Sequence, residues 1–456
     1  MRLSDLVLGH PFADDEDLVH TAEGAWTAGA VRARVRELAD RLSLELGDGG
    51  GRAVAVQLPN GPELLCTMAA VWDLGAVLVP VNDRATSTEV ASICAETGAA
   101  ALVDRDGVHR LEGDRIHGDD IAFVVWTSGT TGRPAPILHT HTGYLELLDR
   151  MVGPLRAGTG RSGPPMPNLI PVSMALNAGL YNTLFGLRVG AALVLMDRFD
   201  PHEFATLIGR HSIRSTVLPP AAMVTVLESG VPSLTPLTYL RSITAPLSPL
   251  QARRFSERFG VFVLNSYGQA EMGEVIGWTA ADARQWPEKV GAAGRPHPGV
   301  EVRLAEDGRL LVRPRESAVG LATRRDAEGF IDTGDIARID DDGFVWIEGR
   351  SSDVINRGGN KVFPDAVEEV LRLHPGVVDA AVVGVPDERL GEVPVAFVVG
   401  AVDEPELVDH CRTHLVPYKV PVRFLAIDVL PRNEIGKLLR RELAAQWSVE
   451  ERSVEE

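Results

Sequence analysis

Residues 121–141 read IAFVVWTSGTTGRPAPILHTH, and the rest of the chain is read outward from this stretch. Residues 121–126 are apolar on both parities and rich in β-branched and aromatic types, which predicts a short strand buried on both faces. The run breaks at Thr127-Ser128-Gly129-Thr130-Thr131-Gly132, where every side chain is a small hydroxyl or absent. Such a loop can present backbone N–H groups and hydroxyls to one ligand, because Gly129 and Gly132 permit an approach that a Cβ would block. This is the chemistry of a phosphate cradle. It is not the GxxxxGK[ST] loop, since no lysine follows the second glycine. The plainer alternative is a polar turn between two strands.

Upstream, Trp26, Val31, Val35, Leu38, Leu42 and Leu46 recur at helical spacing, which predicts an amphipathic helix over 25–46. Strands are expected at 52–58, 76–80 and 99–103, with helices at 63–74 and 89–97 between them. Only a short polar connection is expected between 103 and 121. Downstream, helices are expected at 143–151, 201–211 and 221–227, and strands at 215–218 and 261–264. Strands alternating with helices indicate an α/β fold, a large N-terminal domain of layered, mostly parallel sheets and helices. From about residue 290 the pattern changes to short alternating strands, with Asp341-Asp342-Gly343 as a hairpin turn, and predicts a small β-barrel-like subdomain. After Gly349-Arg350 the pattern is helix 363–373, strands 377–385 and 393–399, helix 406–414 and strand 423–427. That describes a compact α+β domain of ordinary size. The boundary is placed at Arg350/Ser351, giving an N-terminal domain 1–350 and a C-terminal domain 351–456. The acidic tail VEERSVEE is expected to fray.

The 456 residues are enough for two or three domains, and 45% hydrophobic content marks a globular chain. The net charge of −18, with no concentrated basic tract, argues against general nucleic-acid binding or docking on an anionic membrane. A bound polyanion would need local glycines, a cation and a few basic side chains to overcome that field. The three cysteines (Cys66, Cys94, Cys411) show neither metal spacing nor a paired framework, as suits a reducing cytoplasm. The N-terminus lacks the charged and apolar regions of a signal peptide, and no uncharged apolar run reaches the ~18 residues of a membrane span. The expected location is therefore cytoplasmic.

TSGTTGRP followed by Thr140-His141 resembles the signature loop of the adenylate-forming superfamily: acyl- and aryl-CoA ligases, stand-alone adenylation domains and luciferases. Four further elements follow in family order. Asn265-Ser266-Tyr267-Gly268-Gln269-Ala270-Glu271 resembles the YGxTE element. By that resemblance Tyr267 would stack on adenine beside Gly268, and Glu271 would help hold Mg²⁺, a cation that prefers carboxylate and phosphate oxygens. Asp332-Thr333-Gly334-Asp335 resembles the TGD element, in which Asp335 would accept both ribose hydroxyls. Arg350 would contact ribose or phosphate at the hinge. Residues 351–364 resemble the hinge and the loop after it, where Gly358-Gly359 would let a pantetheine arm pass, the form nearest to acyl- and aryl-CoA ligases. Pro431-Arg432-Asn433-Glu434-Ile435-Gly436-Lys437 resembles the PxxxxGK loop. Lys437 would bridge the substrate carboxylate and the α-phosphate and stabilise charge as pyrophosphate leaves. Ala245-Pro246 resembles the adenine-side loop without its usual glycines. Thr127, Ser128, Gly129, Thr131 and Gly132 would bind nucleotide, with Thr130 joining Glu271 and Lys437 in catalysis.

For Tyr267 the plain reading is a packed core aromatic, for Glu271 an acid at a helix start, for Arg350 a surface ion pair, and for Lys437 an exposed cation beside Arg440 and Arg441. Three departures from the family pattern stand out. Ala135 replaces the signature lysine, with Arg133 just before Pro134; Ala270 replaces the YGxTE threonine; and Ser352 stands at the pivot, usually Asp or Lys. Residues 171–179 (PVSMALNAG) align with the acid-binding segment but carry neither its His nor the Asp of amino-acid activators. Ser173, Leu176, Asn177 and Gly179 are the expected substrate contacts, for an apolar or aromatic acid. The resemblance implies an AMP-forming acid–thiol ligase using ATP, Mg²⁺ and CoA, acting as a monomer or homodimer. Two alternatives are transfer of the adenylate to a carrier-protein thiol or an amine, and a diverged nucleotide-binding homologue without turnover.

Overall fold

The computed structural model describes all residues except 128–134, 158–164, 316, 319–324, 433–437 and 455–456. Six strands form the first sheet, in the order Gly107–Arg110, Ala101–Asp104, Ala53–Val56, Val77–Pro80, Ile121–Thr127 and Ala135–Thr140. Its four inner strands run parallel and each edge strand is antiparallel. Period-two alternation divides the inner strands between two cores. Val54, Val56 and Leu78 pack with helices Ala28–Leu46 and Pro62–Asp73, while Ala53, Ala55, Val77 and Val79 meet Val90 of helix Ser87–Thr97. Both faces are therefore dry, and so these strands read as unbroken apolar runs.

Three local expectations change. Residues 25–27 form a strand, and helix Ala28–Leu46 begins only after Thr27, whose hydroxyl accepts from Ala30 N. The stretch between 103 and 121 contains a hairpin, Ala101–Asp104 with Gly107–Arg110, rather than a plain connection. Helix Arg440–Val454 runs through most of the acidic tail, whose residues 455–456 lie outside the described residues.

A second sheet orders Ala25–Thr27, Asp17–His20, Leu193–Leu195 and Asn168–Ile170. Beside it lie three parallel strands, Ser215–Leu218, Tyr239–Ser242 and Phe262–Leu264. Two antiparallel sheets follow: Ser266–Gln269, Gly273–Gly277 and Arg295–Pro296, then Glu301–Leu304, Arg309–Arg313, Ile331–Ile339 and Val345–Arg350. A bridge between Gly294 and Val345 joins them over one core that includes Val275, Ile276, Leu310 and Ile331. The last hairpin turns at Asp340, whose carboxylate accepts from Asp342 N (3.1 Å) and Phe344 N (2.9 Å).

After Arg350 comes a five-stranded sheet built on the long hairpin Val377–Asp387 and Gly391–Gly400. Ala380, Val382, Ala396 and Val398 face helices Pro364–Arg372 and Glu404–His414. Ala381, Val383, Val395 and Phe397 face Leu443 of helix Arg440–Val454. Hydrogen bonds from this unit to the preceding one include Ser248 Oγ to Glu369 Oε1 (3.5 Å) and Lys361 Nζ to Asp307 O (3.2 Å). Among the described residues no helix is long and apolar enough to cross a membrane.

Candidate active site

The three parallel strands end together. Pro219 and Pro220, Thr244 and Ala245, and Asn265 and Ser266 follow them and line one wall of a cleft of about 3610 Å³. Open α/β sheets bind ligands at such carboxyl ends. The volume is several times that of a single small-molecule pocket, so the cleft has room for more than one ligand.

Asp335 is the focus of one side. It is 4% exposed, and its carboxylate is bound by three side chains from two segments. Arg350 Nε lies 2.9 Å from Oδ1, while the Tyr267 hydroxyl and Gln269 Nε2 (3.3 Å) donate to Oδ2. Gln269 Nε2 (2.7 Å) and Arg350 Nη1 (3.1 Å) also donate to Thr333 O, which fixes the turn itself. The turn needs Gly334, whose φ of +74° lies in the left-handed region. Burial and the adjacent Asp335 carboxylate push the Tyr267 phenol well above its ordinary pKa, so it remains a donor. Tyr267 and Arg350 are thus neither a plain core aromatic nor a surface ion pair; both line the cleft around Asp335.

Glu271 also lines the cleft, on the turn between strands Ser266–Gln269 and Gly273–Gly277. It is not at a helix start. Gly268 lies opposite Glu274 in this hairpin, where an added Cβ would fall 2.1 Å from Gly273 O, so only glycine fits. Ala245 and Pro246 line the same wall.

On the opposite side, Ser173, Leu176 and Asn177 line the cleft. Their segment is held by Asn60, whose amide donates to Val172 O (2.8 Å) and accepts from Met174 N (2.8 Å). Gly179 lies behind this wall, packed on the Ser173 carbonyl, and does not line the cleft. Beyond it the wall carries Tyr181 and Phe185, with rings stacked at 6.3 Å. Next to them sits a buried ionic group that sequence reasoning missed. Glu274 Oε1 is bound by Arg241 Nη1 (2.6 Å) and by His297 Nε2 (2.8 Å). Burial works against ionisation of Glu274, but the Arg241 charge and the His297 bond outweigh it and hold the carboxyl below its usual range. Gln269 was within reach of sequence reading as part of a recognised motif. Arg241 and His297 carry no local signal.

His141 is taken up elsewhere. It is buried, its Nδ1 accepts from Leu3 N (3.0 Å), and it anchors the N-terminus rather than the site.

The C-terminal unit contributes Arg432, Leu438 and Arg440 to the cleft wall. Arg432 and Leu438 pair as an antiparallel bridge, and Leu439 N donates to Pro431 O (2.9 Å). Arg440 joins three acids. Its Nε lies 3.5 Å from Asp353 Oδ2, and its terminal nitrogens bind Asp365 and Glu368. Burial and the neighbouring Glu368 charge push Asp365 up to about 6. Ser352 is exposed, and its hydroxyl donates to Asp353 (2.8 Å). Gly358 and Gly359 form the turn of hairpin Ile355–Arg357/Asn360–Val362 and do not line the cleft. Thr127 ends its strand. Ser128, Gly129, Thr130, Thr131, Gly132 and Lys437 lie outside the described residues.

A family model described as "AMP-binding enzyme" matches residues 10–115 and 107–320, and its C-terminal-domain companion matches 366–437. The chain belongs to the AMP-binding enzyme family. Curated relatives of this AMP-binding enzyme include the long-chain-fatty-acid–CoA ligase FadD13 of Mycobacterium tuberculosis (strain CDC 1551 / Oshkosh). It is 28% identical, over 92% of this chain and 93% of that one. A 2-succinylbenzoate–CoA ligase of Bacillus pumilus (strain SAFR-032) is 29% identical over 92% and 93% of the two chains. Among solved structures, the amide bond synthetase McbA of Marinactinospora thermotolerans superposes with a TM-score of 0.84. The two are 27% identical, with 98% and 99% of the chains covered.

Proposed function

We propose that this AMP-binding enzyme is an ATP-dependent carboxylic acid–CoA ligase that works through an acyl-adenylate. One observation carries the reading: Tyr267, Asp335 and Arg350 meet at one point on the wall of a cleft that also holds the flanks of the PxxxxGK loop. Family membership and the CoA-ligase relatives support it. The chain is read as two working parts, 1–350 for ATP and acid and 351–456 as a mobile domain.

In the first half-reaction the acid carboxylate attacks the α-phosphorus of ATP, and pyrophosphate leaves. Tyr267 gives adenine a flat apolar face, held in place by its hydroxyl bond to Asp335. Asp335 takes the ribose hydroxyls through its remaining lone pairs, and Arg350 orients that carboxylate. Thr127–Gly132, with Thr130 among its hydroxyls, cradles phosphate. Lys437 stabilises the charge that develops as pyrophosphate leaves. Mg²⁺ fits as a cation brought with the nucleotide, because Glu271 offers one carboxylate on the wall. Among the described residues no group of three or more side chains would hold a metal unaided. Bound there, Mg²⁺ neutralises phosphate charge.

In the second half-reaction the CoA thiol displaces AMP from the adenylate. Arg432, Leu438 and Arg440 line the cleft while Gly358-Gly359 lies outside it, which supports an arrangement suited to adenylation. Rotation about 351–353 would exchange the two. The test is twofold: acid-dependent ATP–pyrophosphate exchange, and AMP release that requires CoA. Exchange without CoA-dependent AMP release would reject CoA as acceptor, and absence of exchange would reject the adenylate.

A further inference from the structure

We propose that the acid activated here carries a neutral hydrogen-bond donor, a hydroxyl or an aromatic amine, on the end away from its carboxylate, and that Glu274 receives it. The inference rests on the ligase reading above. Glu274 stands on the strand that leaves the Glu271 turn and lines the acid side of the cleft, its side chain 11% exposed. Oε1 is taken by Arg241 and His297. Oε2 accepts no hydrogen bond from the described residues and is not sealed from the cleft. A carboxylate oxygen left dry without a donor is costly, so the molecule that displaces water there must replace its hydrogen bond.

Charge narrows the donor. An alkylammonium would enter beside two guanidinium charges, Arg241, which donates to Trp278 O (3.1 Å) and the Glu274 carboxylate (2.6 Å), and Arg150, which donates to Met272 O (2.9 Å) and the Glu274 backbone carbonyl (3.2 Å). A second carboxylate would face Glu274 itself. A neutral O–H or N–H meets neither repulsion. The stacked Tyr181 and Phe185 rings on the same wall suit a flat ring between the two ends of the acid.

A matched panel of aryl acids tests this on the purified full-length protein. The members differ only in the far substituent: hydroxyl, amino, methyl, carboxyl or aminomethyl. The readout is kcat/KM for acid-dependent pyrophosphate release. Hydroxyl and amino acids are expected to exceed the methyl acid by about tenfold or more. Glu274→Gln should shrink that ratio to a few-fold; because it also removes the charge paired with Arg241 and His297, the ratio between the acids within the variant, not its absolute rate, is read. The wild-type panel decides by itself if the variant does not fold. A methyl, carboxyl or aminomethyl acid in the lead overturns this inference alone. Release with none of the acids overturns the ligase reading and this inference together.

Discussion

Asp335 stands nearly sealed from solvent between Arg350, Tyr267 and Gln269, and so it shapes the proposed nucleotide end of the cleft. Asp335→Asn keeps the shape but removes the charge that Arg350 answers. It is expected to weaken ATP binding by tenfold or more, about 1.4 kcal/mol or above, measured by calorimetry. Tyr267→Phe removes only the hydroxyl and should cost less, within about 1 kcal/mol. Unchanged ATP affinity in Asp335→Asn would remove this residue from the nucleotide site. That Tyr267, Glu271, Asp335 and Arg350 gather on one cleft was legible in the sequence because each sits in a short motif whose residue order carries its chemistry. Glu274 was not. Its partners Arg241 and His297 are 33 and 23 residues away, and only the fold brings them to it. Gly179 read as a pocket contact because its neighbours are; the helix start turns it inward against Ser173.

Arg440 shows how one helix start organises a domain. Its guanidinium joins Asp353 beside the hinge to Asp365 and Glu368 on helix Pro364–Arg372, three residues after Lys437 in sequence. Truncating it leaves Glu368, 5% exposed, with only the longer ion pair to Arg372 (3.5 Å). Arg440→Ala is therefore expected to destabilise the protein by about 3 kcal/mol in chemical denaturation. Pyrophosphate exchange should slow as well, with partial recovery in Arg440→Lys. A loss below about 0.5 kcal/mol would show that the cluster is not a structural tie. Its helix, Arg440–Val454, escaped sequence reading because RRELAAQWSVEERSV is polar around most of its circumference. Among the described side chains Leu443, Ala444 and Trp447 meet the sheet, too narrow a stripe to announce a helix. The hairpin at 101–110 escaped because its outer strand, GVHR, is short and polar. Residues 25–27 were absorbed into the helix because Trp26 fits its apolar period, while the cap at Thr27 marks the true start.

At the scale of the whole molecule, acid should loosen the fold. Burial holds His10, His139 and His141 down to about 4, below their ordinary 6.5. The unfolded chain then binds more protons between those values, so stability falls as pH falls from about 6.5 to 4. At pH 5 each contributes a loss on the order of 1–2 kcal/mol. Asp365, pushed up to about 6, works the other way, since its folded form gains the proton first. Denaturant melts at pH 7 and pH 5 should show lower stability at pH 5; equal stability would contradict the buried neutral histidines. The layered α/β plan was legible because dry strands and amphipathic helices alternate, and the family motifs fell in order along the chain. That the ends of three parallel strands build the cleft wall was not, since no local pattern encodes it. The central claim is that these distant segments close on a single ATP and that Lys437 completes the closure. Acid-dependent ATP–pyrophosphate exchange in the wild type and in Lys437→Ala, with ATP affinity measured alongside, tests it most directly. Exchange is expected in the wild type, with a loss of about 100-fold or more in the variant and ATP affinity nearly unchanged. Undiminished exchange in Lys437→Ala would contradict it.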